Sequence, residues 1–383
     1  MKRRWRWVLY TVLALGVAAP LGAVLFAWSG LYSVAASRGH FLVTDMFLRF
    51  GMENSVEAHA PDIQPPPLDD IHLIRLGAGH YHSGCAYCHG APGTPITPVA
   101  QGMLPAPPDL KGRVGEWTDQ ELFWIVMHGI KYAGMPAWPA QERDDEVWTV
   151  VAFLRHLPGL DAQGYRRLAM GEVRPEARTG RELALRESDA DASGACARCH
   201  GSENGLPASA LVPRLHGQPA PMLKAALDAY AEGKRYSGIM QPLAIGLSPD
   251  AREKLAAYYA GLPRPQAEPP ADPQSVLAER GRDLAMNGDP GARIPACNGC
   301  HGANALPLYP RLAGQSAPYI AGQLRLWQRA QRGVTETDAI MAPIARRLNE
   351  HQINAAAAYY ASAPAQEAAA APAPAPARRA GEP

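Results

Sequence analysis

All six cysteines of the chain fall into three pairs with one spacing: Cys85 and Cys88, Cys196 and Cys199, Cys297 and Cys300. A histidine follows each pair at once, as His89, His200 and His301. On a short helix, positions i, i+3 and i+4 line up on one face, so two thiols and an imidazole point the same way. Three chemistries use such a triplet. Structural zinc takes four Cys or His ligands, with a second pair close by in sequence, whereas these pairs stand about a hundred residues apart. A dithiol redox pair belongs to a strand-helix-strand unit, and the sequence shows no such context. The third is covalent attachment of haem, with both thiols added to its vinyl groups and the imidazole on the iron. Three copies that use every cysteine select it.

A thioether is one of the groups that can close the far side of such an iron. Met240 follows His200 by 40 residues and Met341 follows His301 by 40, each with proline two residues on (Pro242, Pro343). A lone Met is usually core filler, but recurrence at one distance from the same motif points to ligation. For the first motif the candidate is Met135, in Gly134-Met135-Pro136-Ala137-Trp138, 46 residues after His89. Its rivals are Met103, only 14 residues after His89, and His128, in an apolar helical stretch. The expected iron ligands are thus His89, Met135, His200, Met240, His301 and Met341, around three covalently bound haem c groups. Pro213 and Pro310, with Pro108 as a looser counterpart, could offer a carbonyl to the ring N–H of each motif histidine and so orient it; ordinary turn formation is their competing use. The remaining histidines (His40, His59, His72, His80, His82, His156, His216 and His351) read as surface or packing residues.

The elements that carry these triplets are written more than once. The second and third motifs lie 101 residues apart, as do Met240 and Met341, and Ala256–Ala260 and Ala357–Ala361 share the sequence Ala-Ala-Tyr-Tyr-Ala. Pro213-Arg214-Leu215-His216-Gly217-Gln218 matches Pro310-Arg311-Leu312-Ala313-Gly314-Gln315 at an offset of 97, so a four-residue difference after the motif is made up before the Met. One unit is therefore repeated. A more distant copy runs from Ile74 to a helical stretch at Asp145–Leu157. Apolar spacing predicts helices over Leu223–Glu232, Ala251–Ala260, Ile320–Arg332 and Gln352–Ala361, with Ser248-Pro249-Asp250 as a helix start. No alternating strand pattern occurs.

At 383 residues the chain exceeds one small core. The reading is all-α, with helical domains at 75–160, 161–263 and 275–363, a Pro-rich linker at 264–274 and a disordered Ala/Pro tail at 364–383. Units this small have marginal cores that a bound macrocycle would fill. With a net charge of +1, no strong field marks the chain for nucleic acid.

Lys2, Arg3, Arg4 and Arg6 precede a charge-free run from Val8 to Leu31, flanked by Trp5, Trp7, Trp28 and Tyr32. A bilayer takes about 20 residues to span, aromatic rings favour its boundaries, and the basic end stays in the cytoplasm. Residues 1–40 therefore read as a single-pass anchor in the inner (cytoplasmic) membrane, with the haem domains on the periplasmic side. The alternative is a signal peptide cut near Val34-Ala35-Ala36, although the run exceeds the about 7 to 15 apolar residues usual there. Residues 41–74 would form a helix from Phe41 to Met52, with Asp45 and Arg49 four apart, either on the membrane or packed on the first domain. Pro61–Pro67 follows as a stiff linker.

With these motifs, residues 178–363 resemble the tandem dihaem cytochrome c4 type, through Cys-x-x-Cys-His-Gly, Pro-Arg-Leu-x-Gly-Gln, Met-x-Pro and the closing Ala-Tyr-Tyr-Ala. Residues 75–160 resemble a single-haem class I cytochrome c domain. The resemblance implies three class I folds in tandem, low-spin His/Met iron and electron exchange with respiratory complexes. The anchor and the third haem depart from the two-domain pattern and leave donor and acceptor open. The expected function is electron transfer from a quinol-oxidising complex or a dehydrogenase toward a terminal oxidase. An alternative is the cytochrome subunit of a membrane-bound dehydrogenase. From another class, a haem peroxidase would need one iron with an open position, and a high-spin optical band would mark it.

Overall fold

A computed structural model of the chain describes residues 2–171, 192–203, 205–264, 276–302 and 305–363. The expected tail at 364–383 lies outside the described residues, as does the linker at 264–274 except for Arg264. Among the described residues there is no β-strand, only isolated bridges such as Ala91 with Thr94. The chain is all-α, as its sequence implies.

Helix α1 (Lys2–Trp28) continues through Pro20, and its apolar side chains are exposed along its length. It is long and apolar enough to cross a membrane. Helix α2 (Leu42–His59) runs past the expected end at Met52 because its last turns find a packing surface, burying Val56 completely. Phe41, Leu42, Met46, Phe47 and Phe50 at its other end remain exposed. Arg49 pairs with Glu53 at 3.6 Å, one turn further on and not with Asp45.

The first unit packs α3 (Ile71–His80), the motif helix α4 (Ala86–His89), α5 (Asp119–His128), α6 (Asp144–His156) and α7 (Ala162–Met170) around Ile74, Tyr81, Phe123, Val151 and Phe153. Where α3 crosses α6, a Cβ on Gly77 would run into the carbonyl of Thr149, so the two backbones touch because the residue is glycine. The second unit holds the motif helix α8 (Ala192–His200), α9 (Ala220–Ala231), α10 (Met240–Ile245) and α11 (Pro249–Gly261) around Leu223, Ala256, Tyr259 and Leu262. Ser248 caps α11 by accepting from Ala251 N at 3.1 Å. The third unit comprises α12 (Val276–Asn287), α13 (Asn298–His301), α14 (Ala317–Gln328), α15 (Glu336–Ala345) and α16 (Glu350–Ser362). It repeats the glycine crossing, with Gly281 of α12 against the Ala355 carbonyl of α16. Helix α14 stops at Gln328, short of the expected Arg332, because Ala330 turns left-handed (φ 56°) and brings the Arg332 guanidinium over the Trp327 ring at 4.1 Å.

The second and third units meet through a reciprocal exchange. Arg214 N donates to Gln315 Oε1 (2.9 Å) and Gln315 Nε2 to Arg214 O (3.1 Å). Arg311 N donates to Gln218 Oε1 (2.9 Å) and Gln218 Nε2 to Arg311 O (2.8 Å). A second pair of segments adds Tyr236 N to Arg332 O at 2.9 Å and Val334 N to Lys234 O at 2.8 Å. Equivalent residues of the two repeats thus hold one another about a local two-fold.

Candidate haem-attachment sites

Each Cys-x-x-Cys-His triplet lies on a helical turn. Cys85 ends a π-helical turn (Tyr81–Cys85) that runs from α3 into α4, Cys196 to His200 close α8, and Cys297 is the N-cap of α13. The leading thiol of each pair, Cys85, Cys196 or Cys297, packs against the core of its own unit. A tyrosine fixes the end of two of these turns: Tyr81 Oη donates to Gly90 O at 2.7 Å, and Tyr259 Oη to Gly201 O at 3.1 Å. In the third unit Tyr360, the repeat partner of Tyr259, donates to Asn298 Oδ1 at 2.7 Å inside the motif itself.

Burial pushes the thiols up, Cys85 to about 12 and Cys196 and Cys297 to about 11. They are neutral thiols and not the thiolates that hold a cation or attack a disulfide. Among the described residues, no three His, Cys, Asp or Glu side chains gather as a metal cage.

All three motif histidines meet a proline carbonyl through Nδ1: His89 with Pro108 at 2.9 Å, His200 with Pro213 at 3.1 Å and His301 with Pro310 at 2.9 Å. A carbonyl only accepts, so Nδ1 carries the proton and Nε2 keeps its lone pair. Burial lowers the basicity of each ring while the proline carbonyl raises it, and burial wins. Three neutral, oriented imidazoles with Nε2 available are what a haem iron requires of its proximal ligand. The donor set therefore fits haem c: paired neutral thiols beside a metal-ready ring. The looser Pro108 loop performs the same task as the two close repeats.

The candidate methionines are all partly buried but sit on different supports. Met135 lies in a loop closed at its base by Trp138 N to Met127 O (2.9 Å) and Ile130 N to Met135 O (3.2 Å). The turn into it needs Gly129, whose φ is 62° and whose Cβ would come within 2.6 Å of Met135 O. Met103 packs its terminal methyl against Gly134, so it occupies the neighbourhood of Met135, whereas His128 is exposed with its ring on Trp124 at 5.2 Å. Met240 is the first residue of α10, and Met341 sits mid-helix in α15 against the third core. The four residues by which the repeats differ give α15 its additional first turn.

Two acidic residues at these methionine helices were not singled out by the sequence reading. Asp338 belongs to a capping box with Thr335, a Thr-x-x-Asp signal that is visible ahead of Met341. Glu146, in α6 of the first unit, reaches Ser237 and Gly238 of the second. No local signal marks its reach into the second unit, because the partners it meets there lie about 90 residues away.

Residues 72–154 match the family described as cytochrome c oxidase, cbb3-type, subunit III. A thiosulfate dehydrogenase electron acceptor of Stutzerimonas stutzeri (strain A1501) is 34% identical over 199 residues, which is 51% of this chain and 91% of that protein. Cytochrome c4 of Thiocapsa roseopersicina is 34% identical over 45% of this chain and 88% of its own length. Among solved structures, cytochrome c4 of Acidithiobacillus ferrooxidans has 32% identity and a TM-score of 0.39, over 44% of this chain and 98% of that one.

Proposed function

Because the chain belongs to the class I cytochromes c, with a c4-like C-terminal half, we propose that it carries electrons from a membrane anchor on three covalent haem c groups, one per unit. What supports the number is one arrangement found three times: a core-packed leading thiol, a second thiol, and an imidazole held through Nδ1 by a proline carbonyl at 2.9, 3.1 and 2.9 Å. The thiols of Cys85 and Cys88, Cys196 and Cys199, and Cys297 and Cys300 would form the thioethers. His89, His200 and His301 would be proximal ligands, and Met135, Met240 and Met341 distal ones. Bound haem supplies a one-electron iron couple whose potential is raised by thioether ligation. The chain's own residues orient the rings, supply the sulfurs and shield the sites, and two protein ligands per iron leave no position for a substrate. It is a carrier and not itself an enzyme.

The first unit is assigned to Ile71–Met170, later than the expected end at 160 because Tyr165 and Ala169 of α7 pack into its core. The second unit follows it up to 263 and the third spans 275–363, all on the periplasmic side of the inner membrane and held there by residues 1–40. Four basic residues before the apolar run of α1 support this orientation. The relative named as an electron acceptor of thiosulfate dehydrogenase favours a dehydrogenase as donor, alongside a quinol-oxidising complex. The match of residues 72–154 to an oxidase subunit favours a terminal oxidase as acceptor, reached by the unit next to the anchor. A second reading, the permanent cytochrome subunit of a membrane-bound dehydrogenase, draws on the same relative.

A pyridine haem assay on the mature protein should give three haems per chain, with one lost for each Cys pair changed to Ser; fewer than three in the parent overturns the proposal. Affinity isolation from detergent-solubilised membranes separates the partners. Co-purification with an oxidase that rapidly oxidises the reduced protein supports the first reading, and fixed stoichiometry with dehydrogenase subunits supports the second.

A further inference from the structure

Helix α15, which carries Met341, is capped from within its own unit. Asp338 accepts from Thr335 N (2.8 Å), Thr335 Oγ1 (2.6 Å), Trp327 Nε1 (2.7 Å) and Arg332 Nη1 (2.7 Å). The shorter α10, which begins at Met240, has no acidic residue in its first turn and no side-chain cap from Ile239. Ser237 Oγ instead accepts from Ile239 N (3.3 Å) and Met240 N (3.0 Å), and its hydroxyl donates to Glu146 Oε1 of the first unit at 2.6 Å. Glu146 Oε2 accepts from Gly238 N (2.6 Å) and Trp138 Nε1 (3.3 Å). Arg143 completes the clamp, 3.0 Å from Glu146 and donating to Tyr236 O at 2.7 Å. Gly238 lies flat on the Trp138 indole, with no room for a Cβ.

Glu146 is 4% exposed. A buried carboxylate is costly to desolvate unless its partners are fixed, and here every partner but Arg143 and Trp138 belongs to the methionine loop of the next unit. We propose that Glu146 is a positioning residue for Met240, so that the first unit completes the second haem site in place of the helical turn which the second repeat lacks. This rests on the reading of Met240 as an iron ligand.

The test uses the detergent-solubilised holoprotein with Met240→Ala, Glu146→Ala, Glu146→Gln and Ser237→Ala, each first checked for its haem complement. Two readouts follow: the near-infrared absorption of the thioether-to-ferric-iron bond, and a spectroelectrochemical titration. Met240→Ala should abolish the share of that band which the second haem contributes. Glu146→Ala and Ser237→Ala should retain all haems, weaken the same share and lower the same potential, with Glu146→Gln intermediate because it keeps one acceptor oxygen. Asp338→Ala should act on the third haem alone. Should Glu146→Ala fail to accumulate, Ser237→Ala carries the test, since it leaves the Arg143–Glu146 pair in place. A band and potentials equal to the parent's in Ser237→Ala and Glu146→Ala, while Met240→Ala changes both, overturn the positioning role alone. An unchanged Met240→Ala overturns the ligand assignment beneath it.

Discussion

Gln315→Ala removes the side chain that accepts from Arg214 N and donates to Arg214 O, at 2.9 and 3.1 Å, across the contact between the second and third units. Gln315 is 5% exposed, so water does not simply replace it. A buried backbone group left without a partner costs about 1–3 kcal/mol, and Arg214 is only partly buried, which favours the lower half of that range for each of its two groups. The variant should therefore lose about 2–4 kcal/mol of tandem stability. For a body of this size that is a fall in Tm of roughly 4–16 °C, read by calorimetry on the detergent-solubilised holoprotein. Gln218→Ala should cost less, because Gln218 makes the same two bonds to Arg311, which is exposed and can regain water. The double variant should lose no more than the sum, and should split the tandem's transition in two as the units uncouple. Gln315→Glu keeps the acceptor for Arg214 N but sets a carboxylate against Arg214 O, so it should not rescue. A Tm within about 1 °C of the parent, or a double variant that still melts as one unit, would refute the claim that this exchange holds the repeats together.

Asp338→Ala should destabilise the third unit by up to about 3–5 kcal/mol, since it removes the carboxylate that pairs with the buried Arg332 guanidinium and leaves that group only Gln323 Oε1 (2.9 Å) and the Trp327 face. Burial alone would raise the Asp338 carboxyl, but the Thr335 hydroxyl and Arg332 hold it below the usual carboxylate range. Its contribution is thus fully present above about pH 4 and lost as pH falls through the lower folded value; acid melts of parent and variant should converge there. Gly77→Ala and Gly281→Ala each drive a methyl into a facing carbonyl and should cost about 1–3 kcal/mol or more, as measured by denaturant unfolding. On the proposed ligation, Gly129→Ala, at a φ of 62° and with its Cβ 2.6 Å from Met135 O, should weaken the thioether band of the first haem while leaving the other two intact.

The motif helices, their proline partners and the closing helices were legible in the sequence because each depends on residues close together or on a repeat that doubles the signal. Pro213 and Pro310 could be paired with His200 and His301 from their place in a loop that recurs, and even the divergent Pro108 follows the rule. Helix lengths were less legible. The end of α2 at His59 is set by the groove that receives Val56, and the end of α14 at Gln328 by the return of Arg332 over Trp327. Gly77 and Gly281 carried no mark distinguishing a helix crossing from any other helical glycine. Such contacts arise only when two distant helices meet.

The two repeats share their proline loops and their closing tyrosine helices, and they clasp each other with equivalent residues, so nothing in that contact favours one over the other as the neighbour of the first unit. The difference lies in the four residues before Met240 and Met341. They let the third repeat satisfy the donors at the start of α15 with its own Asp338, which already accepts four hydrogen bonds. The second repeat leaves Gly238 N and the Ser237 hydroxyl without an internal acceptor, and Glu146 takes both. His72 adds a second seam, its carbonyl accepting from Ser209 Oγ at 2.9 Å and its Nδ1 from Ala210 N at 3.3 Å. Unsatisfied buried donors are what a symmetric surface would lack and what an attached unit can seek. A four-residue difference between the copies is therefore enough to give the paired repeats a single face for the first unit.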